Sequence, residues 1–351
     1  MKKKVFFVLG NLGAGGSERV FWMLSQYIDK SLYDVSLVLL DSRKTFLSTN
    51  INQVNIIDLK SLRASRSFFK LIKLIKKEKP YAVLTTGGHI NTLLSYVSIF
   101  VEIPLLIGRE SNVMNIMTKL NGFKERFWDL FVPSTYKRIN LAVCQSKEIK
   151  QSLAYHYGIP QHKLVIINNP VLATDTIIRK AEATQKKLIL VARLAVEKGI
   201  FRLLKIMKNL PLEYALTVAG EGPLKGEILK EIDTLELNGR VNLIGLVPNI
   251  NDVIANHSLM VLSSITEGFP NVVLESLAVG VPVVAFNVSG IQDMIKPGFN
   301  GYITEQDDLA GFEDNIKRAF LKKWNHQAIK ADVNERFGIE KIVKQYEALL
   351  V

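Results

Sequence analysis

Short apolar runs typical of β-strands alternate with helical patterns along the whole chain. This alternation predicts parallel sheets with helices on both faces, because consecutive parallel strands need a crossover connection, usually a helix. In the first half the predicted strands are Lys4–Leu9, Val35–Leu40, Ala82–Thr85, Leu105–Gly108, Leu141–Cys144 and Leu164–Ile167. In the second half they are Leu188–Val191, Ala215–Ala219, Val241–Ile244, Leu259–Leu262 and Val283–Phe286. Helical patterns such as Ser17–Tyr27 and Ser67–Lys79 separate them.

An Asn-Asn-Pro break at residues 168–170, followed by a polar stretch reaching Lys186, separates the two series of strands. It predicts an N-terminal domain over residues 1–168, a linker over 169–186 and a C-terminal domain over 187–351. Each domain would be a doubly wound α/β sheet, and the two would face each other across a cleft that binds the ligand. The final helix, Ile339 to Leu349, fits either domain.

The ends and the single cysteine favour a cytoplasmic protein. In Met1 to Leu9, three lysines are followed by only five apolar residues, a run that is too short for a signal peptide and fits a first strand. The apolar region Leu93 to Ile107 is interrupted by Glu102 and Pro104, so it predicts no membrane span. One cysteine, Cys144, excludes an internal disulfide, and its apolar neighbours predict a buried, inert thiol.

Charge is unevenly distributed along the chain, whose net charge is +12. Residues 1–167 carry 24 Lys and Arg against 11 Asp and Glu, or +13, and the remainder carries 21 against 22, or −1. A basic first half predicts an anionic partner, either nucleic acid or an anionic membrane face. Ordinary solubility charge is the alternative.

Two carboxylates, Glu267 and Glu275, flank a turn after the predicted strand Leu259–Leu262. Ser263 to Phe269 is predicted to be a loop, and a helix is predicted from Pro270 or Asn271 to Val279. The loop would lie where open α/β sheets bind ligands, beside helix N–H groups that favour an anion. Carboxylates suit vicinal hydroxyls of a ribose or sugar, although a solvated helix face is the better explanation of the bare pair alone.

Two cations follow the strand Leu188–Val191, in the segment Ala192 to Gly199. Arg193 offers a planar fork for phosphate oxygens and Lys198 a point charge, so the pair can neutralise a departing diphosphate without a metal. Plain surface charge is disfavoured because cations oppose the dipole at a helix start.

Glycines 10, 13, 15 and 16 join the first strand to the first helix, where they let the backbone approach a ligand. Dehydrogenases use similar turns, but the spacing G-x-G-x-x-G is missing here.

Three of these segments resemble glycosyltransferase family 4. Glu267 to Ala285 resembles its nucleotide-sugar motif, Gly15 to Arg19 its N-terminal G-G-x-E-R element, and Ala192 to Gly199 its G-R-L-x-x-E-K-G element, with Ala192 in place of the usual glycine. Weaker similarities occur at Gly220 to Pro223 and Gly245 to Val247. The motifs follow the family's order over nearly the whole chain.

The resemblance implies the GT-B fold, two Rossmann-like domains with the active site between them, and a nucleotide-sugar as substrate. It assigns the transferred sugar's hydroxyls to Glu267, the ribose to Glu275, and phosphate to Arg193 and Lys198. Arg193, Lys198 and Glu267 are the expected catalytic residues. The other expected donor-binding residues are Gly16, Gly222, Leu246, Gly268, Phe269, Pro270, Asn271 and Val272. No cofactor and no metal are expected, because the chain has no Asp-x-Asp motif and no histidines at metal-ligand spacing.

The acceptor side departs from the family pattern. Where many relatives carry a histidine, Glu110 follows Arg109, so Glu110 is either an acceptor ligand or a structural partner of Arg109. His89 is a further acceptor-side candidate, with a capped loop histidine as the alternative. Family members retain the anomeric configuration, and one proposal makes the donor phosphate itself the base.

Two segments of the basic half combine apolar and cationic side chains, Ser67–Lys79 and Gly122–Lys137. Such helices suit a peripheral membrane surface, although a core face and a solvated face are the commoner explanation. Nucleic acid is not expected, since no known nucleic-acid module is visible.

These features lead to a hypothesis: a retaining transferase moves a sugar from a UDP-sugar to a polyprenyl-diphosphate-linked glycan at the cytoplasmic membrane face, in O-antigen or capsule synthesis. The alternatives are a soluble acceptor, a UDP-sugar epimerase of the GT-B fold, and a non-catalytic sugar-binding protein.

Overall fold

A computed structural model of the chain describes residues 2–13, 15–43, 45–49, 52–61, 64–111, 131–174, 177 and 186–351. The chain divides into two compact units, Met1–Pro170 with Ile339–Val351, and Val171–Gly338. This division starts the second unit at Val171, whereas the sequence places a linker up to residue 186. It also assigns the C-terminal helix, which the sequence leaves open, to the first unit.

The first unit is built on a parallel sheet whose described strands have the order β3-β2-β1-β4-β5-β6-β7. The strands are β1 (Lys3–Leu9), β2 (Tyr33–Leu39), β3 (Asn55–Asp58), β4 (Ala82–Thr86), β5 (Leu105–Glu110), β6 (Leu141–Cys144) and β7 (Leu164–Ile166). The helices are α1 (Gly16–Tyr27), α2 (Ala64–Glu78), α3 (Gly88–Val97), α4 (Val132–Arg138) and α5 (Lys147–Gln151), which continues as a π-helical turn over Ser152–His156.

The second unit has a parallel sheet with the strand order β10-β9-β8-β11-β12-β13. Its strands are β8 (Lys186–Val191), β9 (Tyr214–Ala219), β10 (Val241–Gly245), β11 (Leu259–Leu262), β12 (Val283–Phe286) and β13 (Gly301–Thr304). Its helices are α6 (Ile200–Asn209), α7 (Lys225–Thr234), α8 (Ile250–Ala255), α9 (Asn271–Ala278), α10 (Ile291–Met294), α11 (Leu309–Leu321) and α12 (His326–Phe337).

The C-terminal helix, α13 (Ile339–Glu347), packs against α1 in the first unit. The Asp29 amide donates a 2.7 Å hydrogen bond to Oε1 of Glu347, and the Lys3 ammonium donates one of 2.9 Å to the Leu350 carbonyl. These bonds fasten the end of the chain to the start of the first sheet.

Burial of both sheet faces explains the apolar runs that the sequence shows. Every residue of β11 and β12 is buried, as expected for parallel strands covered by helices on both sides. The prediction of two doubly wound α/β domains is confirmed. The strand predictions omitted β3 and β13, which are four-residue edge strands with few apolar residues. Across the described residues, no helix has both the length and the apolarity needed to cross a bilayer.

The strand order of the second sheet reverses at β8, which pairs with β9 on one side and β11 on the other. In doubly wound sheets, ligands bind outside the carboxyl ends of the strands at such a reversal. A ligand site of this unit is therefore expected at the loops after β8 and β11.

Candidate functional site

The loop after β8 is held directly against the loop after β11. Lys198 ends a short 3₁₀ turn, and Gly199 follows with φ +60° before α6 begins. A Cβ atom at residue 199 would overlap the Ser263 carbonyl oxygen, so glycine is needed both for the left-handed backbone and for the close approach. The Ile265 amide donates a 2.8 Å hydrogen bond to the Glu197 carbonyl, which joins the loops a second time.

An ion pair spans these two loops. The Lys198 ammonium lies 2.7 Å from Oε1 of Glu267, and the Ser264 hydroxyl donates a 2.6 Å hydrogen bond to the same oxygen. The Ser263 hydroxyl donates a 2.9 Å hydrogen bond to the Lys198 carbonyl, which fixes the backbone of the lysine. Both charged side chains remain partly exposed, so a ligand can reach them. The structure thus brings together two of the three expected catalytic residues.

Arg193, the third of them, projects into solvent from the same loop. Its Nη2 lies 2.6 Å from Oε1 of Glu197. Burial acts to raise the pKa of Glu197, but the hydrogen bond from Arg193, a backbone hydrogen bond and the charges of Arg193 and Lys198 together hold that pKa below its usual value. Arg193 is therefore kept beside the loop, with guanidinium N–H groups still exposed to a ligand.

The start of helix α9 follows Glu267 closely. Pro270 precedes the helix and Asn271 is its first residue, and no N-cap side chain accepts from the first turn. Two contacts fix the turn before the helix. The rings of Phe269 and Phe337 pack with their centroids 5.9 Å apart, and the Ser289 hydroxyl donates a 2.9 Å hydrogen bond to the Gly268 carbonyl. The predicted donor residues 268–271 therefore form a rigid helix entry.

Glu275 lies one turn into α9, and only 8% of its surface is exposed. Its neighbours Val273 and Leu274 belong to the core, whereas Val272 is half-buried. A carboxylate can accept hydrogen bonds from ligand hydroxyls, which is the role that the sequence predicts for Glu275.

The loops after β9 and β10 extend the same edge. A Cβ at Gly222 would overlap the Leu194 carbonyl oxygen, and that oxygen accepts a 3.0 Å hydrogen bond from the Leu224 amide. The Gly220 amide donates to the Gly245 carbonyl at 2.7 Å, and Leu246 follows with an exposed side chain. The four loops that follow β10, β9, β8 and β11 are thus joined side by side, and they carry the motifs that the sequence singles out in the second half of the chain.

Arg202, in α6, is a positioning residue that the sequence analysis missed. Its Nε donates to the Ser263 carbonyl at 2.7 Å and its Nη2 to the Ser264 carbonyl at 2.6 Å. Nη1 donates to Gln306 at 2.9 Å, and the guanidinium lies 3.8 Å from the Phe286 ring centroid. Burial lowers the pKa of Arg202 to about 10, so it stays charged at neutral pH. It therefore fixes the loop segment that holds Glu267.

Together these groups can bind an anion and several hydroxyls. The anion would meet the side chains of Arg193 and Lys198 and the start of α9. The hydroxyls would meet Glu267 and Glu275. Within the part of the chain that the structure describes, no three His, Cys, Asp or Glu side chains are grouped so that they could hold a metal ion.

The candidates of the first unit lie along the carboxyl edge of its sheet. Gly16 is the first residue of α1, after β1, and His89 is exposed in the first turn of α3, after β4. Arg109 and Glu110 end β5, and both are buried. Residues 122–130 of the predicted Gly122–Lys137 segment lie outside the described residues.

Arg109 and Glu110 are each held by bonds inside the first unit. Arg109 donates to Thr86 Oγ1 at 2.9 Å and to Asn169 Oδ1 at 2.5 Å. Burial lowers its pKa, although the nearby Tyr346 hydroxyl of α13 opposes this. Glu110 accepts from the Tyr136 hydroxyl at 2.8 Å, and burial raises the pKa of that tyrosine well above its usual value, with the carboxylate adding to the effect.

Two family models match the chain and together span residues 14–335. "Glycosyltransferase Family 4" matches residues 14–173, and "Glycosyl transferases group 1" matches residues 174–335. The second match contains Arg193, Lys198, Glu267 and Glu275.

Two relatives come from Campylobacter jejuni. One is N-acetylgalactosamine-N,N'-diacetylbacillosaminyl-diphospho-undecaprenol 4-alpha-N-acetylgalactosaminyltransferase, 27% identical, with 92% of this chain and 94% of that protein covered. The other is GalNAc-alpha-(1->4)-GalNAc-alpha-(1->3)-diNAcBac-PP-undecaprenol alpha-1,4-N-acetyl-D-galactosaminyltransferase, 25% identical, with 87% and 85% covered.

Among solved structures, Anabaena HepE in complex with UDP-glucose is similar, with a TM-score of 0.82, 16% identity and 99% of both chains covered. At this identity the similarity concerns the fold. Together with two other glycosyltransferase structures, at TM-scores of 0.77 and 0.75, it confirms the predicted GT-B fold class.

Proposed function

The chain belongs to the glycosyltransferases, with a family 4 domain followed by a group 1 domain, and on that premise we propose that it transfers a hexosyl or N-acetylhexosaminyl group from a UDP-sugar to a polyprenyl-diphosphate-linked glycan. The setting would be surface polysaccharide synthesis, such as O-antigen or capsule, on the cytoplasmic face of the cell membrane.

The observation that carries the donor assignment is the Lys198–Glu267 pair at the strand reversal of the second sheet. One member can neutralise a phosphate oxygen and the other can accept from a sugar hydroxyl, and Glu267 lies four residues before the start of α9. A diphosphate attached to a sugar has these two chemistries side by side. UDP as the nucleotide of the donor is supported by the HepE complex, which holds UDP-glucose on the same fold.

Each side chain has a separate part in the proposed site. Glu267 accepts hydrogen bonds from the transferred sugar, and Glu275 accepts them from the ribose. Arg193 and Lys198 stabilise the negative charge that grows on the diphosphate as the bond to the sugar breaks. This charge stabilisation by side chains and a helix start needs no metal and no cofactor, so we expect activity to persist in EDTA.

The proposed reaction retains the anomeric configuration. The bond between the anomeric carbon and the diphosphate oxygen breaks, and the acceptor hydroxyl oxygen bonds to that carbon on the same face. The acceptor proton passes to an oxygen of the departing diphosphate. The donor phosphate then serves as the base, which requires no protein base within the site.

The lipid-linked acceptor is supported by the names of both Campylobacter relatives, which specify undecaprenol-linked glycans. The charge of +13 over residues 1–167 adds to this, because a polyprenyl diphosphate and an anionic membrane face are both negative. His89, Arg109 and Glu110 are the acceptor-side candidates in the first unit. A soluble acceptor remains the alternative.

A transfer assay with a panel of UDP-, GDP- and ADP-sugars and an undecaprenyl-diphosphate-linked glycan tests the proposal. We expect one UDP-sugar to give an extended lipid-linked product whose new linkage has the donor's anomeric configuration by NMR. An epimer formed from donor alone would instead support the epimerase alternative. Binding of UDP without turnover on lipid-linked or soluble acceptors would support a binding protein.

A further inference from the structure

Helix α2 presents a basic face to solvent, with a phenylalanine in it. Its exposed residues at helical spacing include Arg66, Phe69, Lys73 and Lys76, which lie within about 80° of one another at 100° per residue. The helix has five Lys and Arg residues and a single acid, Glu78, at its end. Glu78 lies 2.7 Å from Lys4 and 3.4 Å from Lys77. It is half-buried, so none of the exposed residues of α2 is acidic.

Exposed apolar side chains continue from this face onto the turn that follows α3. The Phe68 ring lies edge-on to Phe69, with centroids 5.3 Å apart, and to Phe100 at 5.6 Å. Phe69 is 75% exposed and Phe100 59% exposed, and Ile99 beside it is also exposed. We call Phe69, Ile99 and Phe100 the aromatic patch. Single exposed apolar residues are ordinary, but three adjoining ones next to a basic face indicate a contact surface.

We propose that the aromatic patch and the basic face of α2 form the surface by which this protein docks on an anionic lipid bilayer. Aromatic rings enter the boundary between headgroups and acyl chains, while lysines around them stay at the level of the lipid phosphates. The inference rests on the proposed membrane association and gives it a location. It does not depend on which sugar is transferred.

A second copy of the chain fits this surface less well. In a two-fold contact the same surface lies on both sides, so the basic face of α2 in one copy would oppose that of the other. Like charges brought together in this way are repulsive, whereas a bilayer containing phosphatidylglycerol offers the opposite charge over the whole area. Charge complementarity therefore favours the lipid surface.

Vesicle sedimentation tests the surface, with vesicles of phosphatidylcholine alone or with phosphatidylglycerol, at low and high salt. We expect the wild-type protein to bind only the anionic vesicles and to be released by salt. Lys73→Gln with Lys76→Gln should weaken binding about 25-fold, at about fivefold per lysine. Phe69→Ser with Phe100→Ser should weaken it about tenfold through lost apolar burial.

Matched controls come from the second unit. Lys205→Gln with Lys208→Gln removes two exposed lysines at the same spacing on α6, and Leu212→Ser with Leu321→Ser removes two highly exposed leucines. Both controls should bind vesicles like the wild type, and all four variants should still bind UDP.

The outcomes separate the two proposals. If the wild-type protein binds anionic vesicles and the α2 variants bind equally well, the surface is wrong and membrane association stands. If the wild-type protein does not bind anionic vesicles, the docking surface and the membrane association are both wrong. Sugar transfer can still be measured in that case. A dimer in light scattering that Phe69→Ser with Phe100→Ser dissociates, without any change in vesicle binding, would assign the patch to a second copy.

Discussion

The Lys198 ammonium lies 2.7 Å from Oε1 of Glu267, although the two residues are 69 positions apart along the chain. Their loops follow β8 and β11, which are neighbours in the sheet. Ser264 shares the same carboxylate oxygen, so the glutamate is oriented before any ligand arrives. Orientation of this kind lowers the cost of binding and of charge stabilisation in the transition state.

Replacing Lys198 with alanine should lower kcat by about 10²–10³, because the charge growing on the departing diphosphate loses its nearest ammonium. Initial rates with a UDP-sugar and an acceptor measure this. The control is Lys208→Ala, which breaks an exposed pair with Glu236 in the same unit and should leave kcat unchanged. A Lys198→Ala enzyme with nearly wild-type kcat would remove Lys198 from the catalytic residues.

Replacing Arg202 with methionine should destabilise the second unit and impair transfer together. The Ser263 and Ser264 carbonyls lose a charged donor, which costs about 2–3 kcal/mol of unfolding free energy. Lysine at this position keeps the charge without the fork, so Arg202→Lys should recover only part of the loss. Urea denaturation and kcat are the measurements. Full recovery of both by lysine would show that charge alone matters there.

The glycines of the second unit give a paired test of loop geometry. Gly199→Ala places a Cβ against the Ser263 carbonyl at φ +60°, and should cost more than 1 kcal/mol of unfolding free energy and slow transfer. Gly226→Ala lies in helix α7 with open space around it, and should add about 0.5–1 kcal/mol of stability without slowing transfer. Equal effects of the two substitutions on stability would contradict the loop contact.

Cys144 is buried as predicted, and burial raises the pKa of its thiol to about 12. The folded pKa exceeds the unfolded value near 9, so the neutral thiol favours the folded state. This contribution is complete below pH 9 and is lost between pH 9 and 12, at about 1.4 kcal/mol per pH unit. Comparing urea denaturation of wild type and Cys144→Ala at pH 7 and pH 10 checks it. Parallel pH dependence in the two proteins would contradict the buried thiol.

The sequence could predict that the expected donor-side residues of the second unit lie at one sheet edge, because they follow buried strands. Buried parallel strands are visible as apolar runs, and their carboxyl ends share one sheet edge, so residues after β8 and β11 can be expected to meet. Arg202 could not be found in this way. It lies inside a helical pattern, and its main partners are backbone carbonyls 61 and 62 residues away, which have no side-chain signal.

The same limit applies to the end of the chain. Residues of α13 contact residues near the N-terminus, such as Glu347 with Asp29, which are 318 positions apart. The amphipathic pattern of α13 shows that one face is buried, but a pattern does not name the surface that covers it. β3 was overlooked because an edge strand buries little, and its residues are mostly half-exposed.

The central claim is tested most directly by measuring UDP binding with thermal shift and calorimetry. The three proteins to compare are the wild type, Glu275→Gln and Glu227→Gln. Glu275 is the buried carboxylate assigned to the ribose, and Glu227 is an exposed glutamate of α7 in the same unit. At a UDP concentration 100 times Kd, the wild type and Glu227→Gln should gain about 2.7 kcal/mol of stability. Glu275→Gln should keep its unliganded melting temperature within a few degrees and lose most of that gain. Equal stabilisation of all three proteins by UDP would contradict a nucleotide-sugar site at this edge of the second sheet.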